Sequence, residues 1–418
     1  MKTIIYIDNY YPYSYKGETF LQNEIDFLSN KKNGIKRFIF PIYGRDIEKE
    51  NIKINEKITV IEPPKYNAFI HFVWMFISLL DIQFYSEIKN LIMSNRINFN
   101  NFIKCIRFIS SGLLYSHVLV KYINKNFKKG DEIILYSYWM HIHAYVASMA
   151  KKKLINKYKI KFITRCHRFD VYEYANNDYI PFRKEIFKYV DNIYSISQDA
   201  INYINNNYPL LRLNCKISML GTFDNGERIS SRGKTLKILS CSWMRPVKRI
   251  DLIYNAINNT NFPIEWIHIG DGEEYDNINC LIKSNKNKNL KCTLLGALPN
   301  NEIIEYYKKE DINIFINVSE SEGIPVSIME AMSFGKIIIA TDTGGVNEIV
   351  NNQENGYLLP IQFEPIDLFK IIRLINDMSD YEYNKMCKKS REIWEQKCNA
   401  KANYLEFEED MLENGNKC

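Results

Sequence analysis

The feature that most constrains this chain is an alternation that recurs along most of its length. A short apolar run of strand character is followed by a loop, a stretch of helix length and another apolar run. The runs are 3–7 (TIIYI), 37–40 (RFIF), 133–136 (IILY), 161–164 (KFIT) and 192–196 (NIYSI), then 237–240 (KILS), 265–269 (EWIHI), 292–295 (CTLL), 312–316 (INIFI) and 336–340 (KIIIA). Between the first two, Leu21, Ile25 and Leu28 recur at i, i+4 and i+7, the stripe of an amphipathic helix closing near Asn33 and Gly34. Strands alternating with helices form parallel sheets covered on both faces, because every parallel connection must cross over the sheet.

Between the two sets of runs lies 221–234 (GTFDNGERISSRGK), a polar Gly/Ser stretch with almost no apolar residue, beyond which the alternation restarts. A chain of 418 residues is too long for one ordinary core. The stretch therefore reads as a linker, 222–236, between a first domain, 1–221, and a second, 237–390. The expected fold is α/β, two doubly wound domains facing each other across a cleft. In open parallel sheets ligands sit outside the carboxyl ends of the strands, so function belongs in the loops there.

The segment richest in chemistry is 317–345 (NVSESEGIPVSIMEAMSFGKIIIATDTGG). A strand ends at Ile316, a loop runs through Ser319, Glu320, Ser321, Glu322, Gly323 and Ile324, and Pro325 opens a helix that stops at Gly335. Gly323 lets a ligand approach the backbone. The first amides of the helix, Val326, Ser327 and Ile328, together with its dipole, suit a pyrophosphate. Glu330 falls four residues after Val326 on the same helical face, where a carboxylate can accept two hydrogen bonds from a ribose diol. Glu322 lies in the loop, nearer the position of a leaving group or sugar. Each glutamate taken alone reads first as a capping or solvated carboxylate.

Glu322 to Glu330 is Glu-x7-Glu, and with Gly-Ile-Pro, Glu-Ala-Met, Gly335 and the pair Gly344-Gly345 it closely resembles the nucleotide-sugar site of family-4 retaining glycosyltransferases of the GT-B fold, the type that builds bacterial surface polysaccharides. The resemblance implies two Rossmann-like domains. It further implies that Lys248, in SWMRPVKRIDL, contacts the donor diphosphate, with Arg245 standing in for an arginine usual where this chain has Trp243. Gly270-Asp271-Gly272 resembles the family's strand-end turn, and Leu295 to Leu298 the segment lining the base, with Gly296 and Leu298 on it. Gly17, in Gly-Glu-Thr-Phe, resembles the loop over the donor phosphates. His167, in Cys-His-Arg-Phe-Asp, resembles a histidine that hydrogen-bonds the transferred sugar. Trp394, Cys398, Tyr404 and Phe407 resemble a closing segment, 391–418, that returns to the first domain.

The implied catalytic set is Glu322, His167 and Lys248. The implied donor-binding set is Gly17, Arg245, Gly296, Leu298, Gly323, Ile324, Pro325, Val326, Ser327 and Glu330. The implied donor is a UDP- or GDP-sugar, and the acceptor a glycan or lipid-linked glycan. Retention of configuration follows from the resemblance alone. No Asp-x-Asp occurs at a strand end, so transfer without a metal or other cofactor is expected, helix amides and Lys248 taking the ion's part. A nucleotide-sugar epimerase and a non-catalytic nucleotide-sugar-binding protein share this architecture and stand as alternatives.

Charge and composition narrow the partners. Lys plus Arg exceed Asp plus Glu by 55 to 49, too mild a bias for a nucleic-acid binder. Its distribution is uneven: 89–129 holds eight Lys or Arg and no Asp or Glu, interleaved with aromatic and aliphatic residues. That pattern fits either the solvated face of two amphipathic helices or a surface lying against anionic lipid. Nine cysteines without a Cys-x-x-Cys pair point to a reducing compartment. The most apolar stretch, 68–80, is thirteen residues long, short of the roughly 20 needed to cross a bilayer. A cytoplasmic protein in contact with the inner face of the plasma membrane is expected.

Overall fold

Every named strand pairs in parallel with its neighbours, in two separate sheets. The computed structural model describes residues 2–14, 19–31, 33–43, 54–63, 67–229 and 231–413. The chain divides into unit 1, Met1–Ile196, Ala200–Ser218 and Tyr404–Cys418, and unit 2, Ser197–Asp199 and Met219–Asn403. Predicted and observed strands agree closely, and the two doubly wound α/β layers expected from the alternation are present.

In chain order the strands of the first sheet are β1 (Lys2–Asp8), β2 (Lys36–Pro41), β3 (Ile58–Val60), β4 (Glu132–Ser137), β5 (Lys159–Cys166), β6 (Asn192–Ser195) and β7 (Cys215–Ile217). They lie in the order β3-β2-β1-β4-β5-β6-β7. Helices α1 (Thr19–Ser29), α2 (Ala68–Leu79), α3 (Ile82–Met93), α4 (Phe99–Asn126), α5 (Ile142–Leu154), α6 (Arg168–Val171), α7 (Arg183–Tyr189) and α8 (Gln198–Asn207) intervene. Ile5 pairs with Phe38 on one side and Leu135 on the other. Residues 4–7 are fully buried, as a central parallel strand requires.

The second sheet comprises β8 (Leu236–Cys241), β9 (Ile264–Ile269), β10 (Leu290–Leu294), β11 (Ile314–Asn317), β12 (Ile337–Thr341) and β13 (Gly356–Leu359), in the order β10-β9-β8-β11-β12-β13. Its helices are α9 (Ile250–Ile257), α10 (Tyr275–Lys283), α11 (Asn300–Lys309), α12 (Val326–Ser333), α13 (Pro365–Asp377) and α14 (Asp380–Lys397). The last helix, α15 (Ala400–Leu412), leads from unit 2 into unit 1. Trp266 is wholly buried on one face of this sheet, and Phe315 and Ile328 on the other.

Two boundaries differ from expectation. The described parts of the polar stretch, 222–229 and 231–235, are strapped onto unit 2. Arg391 grips Asp224 at 2.9 and 2.7 Å, and Arg228 donates to the Lys309 carbonyl at 3.2 Å and to Asp311 at 3.0 Å. Arg232 reaches the carbonyls of Ile375, Asn376 and Met378 at the end of α13. Arginines that cap helix carbonyls explain how so polar a segment can be ordered. The return to unit 1 begins at Tyr404 rather than at 391.

Candidate functional site

In both sheets the strand order reverses beside the first strand, between β1 and β4 and between β8 and β11. Connections on either side of such a switch point leave in opposite directions and open a crevice at the carboxyl ends of the strands. In unit 2 the loops flanking that crevice are 242–249 after β8 and 318–325 after β11.

Lys248 and Glu322 come from these two loops, and Lys248 Nζ lies 2.5 Å from Glu322 Oε1. Asn317, the last residue of β11, donates to the same oxygen at 3.3 Å, and its side-chain carbonyl accepts from the Ser319 amide at 3.1 Å. The Glu320 amide donates to the Val247 carbonyl at 2.8 Å, tying the loops a second time.

Arg249, in the left-handed conformation that ends the turn at Pro246–Lys248, donates to the carbonyls of Val318 at 2.8 Å and Ile361 at 2.6 Å. The pair is therefore braced from several sides. Lys248 and Glu322 both keep some exposure, with side chains 22% and 11% accessible, so a ligand can still reach them.

A third loop presses on the second. The Gly345 amide donates to the Gly323 carbonyl at 2.9 Å, and Thr343 Oγ1 to the Glu320 carbonyl at 3.0 Å. Gly344 has φ +56°, and a Cβ there would stand 2.1 Å from the Glu322 carbonyl oxygen. Only glycine fits a position that combines left-handed backbone with such an approach.

Helix α12 begins where these loops meet. Pro325, expected as the first helical residue, is instead its N-cap, so the helix begins one residue later at Val326, and it closes at Phe334 with Gly335 left-handed after it. The Ile328 amide, expected to face a ligand, donates to the Pro325 carbonyl at 3.2 Å instead. A tight first turn takes that donor and leaves Val326 and Ser327 as the half-buried first amides. Ile324 buries its side chain in the core and Pro325 is buried, so a ligand could meet only their backbone.

Glu330 is 6% exposed, and burial pushes its carboxyl up to about 7. Asn300, at the start of α11, donates to its Oε1 at 2.5 Å, opposing that rise. Asn300 directly follows the 295–299 loop that carries Gly296 and Leu298. Gly296 has φ +70°, its carbonyl accepts from the Gly270 amide at 2.8 Å, and Leu298 is half-buried. Arg245 and Trp243 are exposed on the loop after β8. Unit 2 thus brings together Lys248 with Glu322, and Glu330 with Asn300. Asn317 and Asn300 were not foreseen; a lone asparagine at an element end reads as a cap or turn residue.

His167 belongs to unit 1, at the end of β5. Its ring packs on Tyr138 and Trp139, with centroids 4.7 and 4.5 Å away, and neither ring nitrogen has a hydrogen-bond partner among the described residues. Asp170, fully buried, accepts from the His167 amide at 2.5 Å and the Met140 amide at 2.6 Å, fixing both strand-end loops. Gly17 lies outside the described residues.

With this geometry in place, comparison with known proteins points one way. Residues 224–393 match the family Glycosyl transferases group 1. An uncharacterized glycosyltransferase of Methanocaldococcus jannaschii is 34% identical over 133 residues, 32% of this chain and 36% of that protein. The UDP-Gal:alpha-D-GlcNAc-diphosphoundecaprenol alpha-1,3-galactosyltransferase of Escherichia coli is 32% identical over 126 residues, 30% of this chain and 31% of its own. The chain therefore spans about a third of the length of these curated relatives. Among solved structures, a lipopolysaccharide outer core galactosyltransferase in its apo form superposes with a TM-score of 0.70 at 14% identity, covering 99% of this chain and 100% of the other. The fold is GT-B.

Proposed function

We propose that the chain is a glycosyltransferase that moves a sugar from a nucleoside-diphosphate sugar, UDP- or GDP-linked, to a glycan or lipid-linked acceptor in cell-surface polysaccharide synthesis. Transfer is proposed to proceed with retention and without a metal, on the cytoplasmic side. The observation that carries this reading is the Lys248–Glu322 pair at the start of α12. The family match over 224–393 and the UDP-sugar named for the Escherichia coli relative support it.

Transfer from a nucleoside diphosphate passes through a state in which positive charge builds on the sugar ring and negative charge on the departing phosphate. Lys248 and the first amides of α12 meet the negative charge. Glu322 offers a carboxylate for sugar hydroxyls and the positive charge, and Lys248, Asn317 and the Gly344 approach hold it in place. Glu330 is the acceptor for a ribose diol. The leaving phosphate takes the acceptor's proton, and His167 hydrogen-bonds the sugar being moved.

A thermal-shift screen against a panel of UDP- and GDP-sugars tests the reading, since a ligand that binds only the folded state raises Tm. One donor should raise Tm and release nucleoside diphosphate when an acceptor is added. That turnover should survive EDTA, and the product should keep the donor's anomeric configuration. No Tm response across the panel would sink the proposal.

A further inference from the structure

We propose that α2 and the elbow joining it to α3 form a membrane-seating surface that inserts into an anionic lipid leaflet. Phe69, Phe72, Val73, Phe76 and Ile77 on α2 are all exposed. At the elbow Leu80 is 85% and Ile82 80% exposed, values ordinary in soluble proteins for polar or charged side chains. Asn67, Asp81 and Asn98 cap α2, α3 and α4, each accepting from backbone amides of the helix that follows it. The apolar stretch is therefore cut into ordered helices, and its exposure belongs to folded structure.

The geometry selects a surface position over a crossing. Twelve residues of α2 extend only about 18 Å, against roughly 30 Å of hydrocarbon. α3 leaves at a 71° bend. One described helix, α4, is long and apolar enough to cross a membrane, but 61% of its apolar window is buried in the protein. α2 packs along α4 with Trp74 turned toward His117 and His71 toward Tyr115, which leaves the phenylalanines outward.

Charge favours a lipid leaflet over another protein surface. No Asp or Glu lies between 63 and 80 or between 89 and 129. On and just beyond α4, the helix that carries α2, Lys121, Lys125, Lys128 and Lys129 are all exposed. The apolar face of α2, on a helix that packs along α4 with its exposed lysines, complements acyl chains beneath anionic headgroups, and the one acidic side chain at the elbow, Asp81, is engaged as the α3 cap by the Gln83 amide. The outward side chains of α2 carry hardly a hydrogen-bonding group. Ser78 is buried and gives its hydroxyl to the Met75 carbonyl at 2.7 Å. A protein interface needs roughly one hydrogen bond per 100–200 Å², whereas hydrocarbon needs none.

This surface does not rest on the proposed chemistry, and sedimentation with vesicles reads it without turnover. The full chain should partition onto phosphatidylcholine vesicles containing phosphatidylglycerol, and at least tenfold less onto phosphatidylcholine alone. The triple variant Phe69→Ser, Phe72→Ser, Phe76→Ser should lose partitioning at least tenfold with Tm unchanged, because those side chains are exposed. Lys121→Gln with Lys125→Gln should weaken only the anionic-lipid component. Equal partitioning of wild type and triple variant would overturn the proposal. So would a wild-type dimer that ignores vesicles and becomes monomeric in the triple variant, since the patch would then join two copies.

Discussion

Lys248 and Glu322 approach each other from the two loops that flank the switch point of the second sheet, and their charged atoms lie 2.5 Å apart. Their separation in sequence is 74 positions, so the pair exists only because β8 and β11 are adjacent in the sheet. Replacing Glu322 with Gln keeps the shape and the Asn317 contact but removes the charge. If the carboxylate stabilises the reacting sugar, kcat should fall by about 10²–10³-fold, roughly 3–4 kcal/mol of transition-state stabilisation, with donor Kd changing by less than about threefold. An effect confined to donor affinity would reassign Glu322 to ground-state binding.

Glu330 carries a pH dependence whose sign can be worked out. Its carboxyl titrates near 7 in the folded chain because it is buried, against 4.5 unperturbed. Between those values the folded state holds a proton that the unfolded state has released. Stability from this group is therefore complete below about pH 4.5, falls as pH rises, and is lost above about 7. The loss is of order 3 kcal/mol, and Glu330→Gln should flatten the stability profile in that window. Accepting from a ribose diol requires the ionised form, so donor affinity should weaken as pH drops below 7. Calorimetry should record proton release on binding near pH 6, and a pH-independent donor Kd would count against the ribose assignment.

Gly344 tests how the third loop controls the second. Gly344→Ala sets a methyl group 2.1 Å from the Glu322 carbonyl oxygen at a left-handed residue. The backbone preference alone costs about 1–2 kcal/mol, and the contact adds more by pushing the Glu322 loop aside. The variant should melt several degrees lower and lose activity out of proportion to its stability. Full activity at a temperature where it is folded would show that the loop position is not critical.

The long central strands were legible because buried parallel strands are continuous apolar runs, and β1, β4, β8 and β12 were each placed within one or two residues. The edge strands β3 and β7 escaped, being three residues each. β13 begins at Gly356, where a Cβ would stand 2.1 Å from the Ile338 carbonyl oxygen. Glycine reads as a loop residue, yet here it permits close pairing. Glu322, Glu330 and Lys248 were readable because their spacing forms a pattern. Asn300 was not, since its partner Glu330 arrives through tertiary approach, and Asn317, whose partners Ser319 and Glu322 lie two and five residues on, reads as an ordinary turn residue. The outward face of α2 was hidden for the opposite reason: nearly every position is apolar, so no periodicity marks which side is buried.

Unit 1 is held by a pair that sequence could not have matched. Glu24 on α1 and Arg165 on β5 are each 1% exposed, with Arg165 Nη2 3.1 Å from Glu24 Oε2. The same guanidinium lies over the Phe407 ring, 4.3 Å from its centroid, and reaches Ser218 Oγ at 3.2 Å. Glu24→Gln leaves a buried cation without its counter-charge and should destabilise unit 1 by about 3–5 kcal/mol. Glu24→Leu with Arg165→Met removes both charges and should cost far less, since the desolvation of each ion disappears with the pair. Urea unfolding of the three chains measures the difference. A double variant as damaged as Glu24→Gln would mean that Arg165 acts through Phe407 and Ser218, and that the carboxylate is incidental.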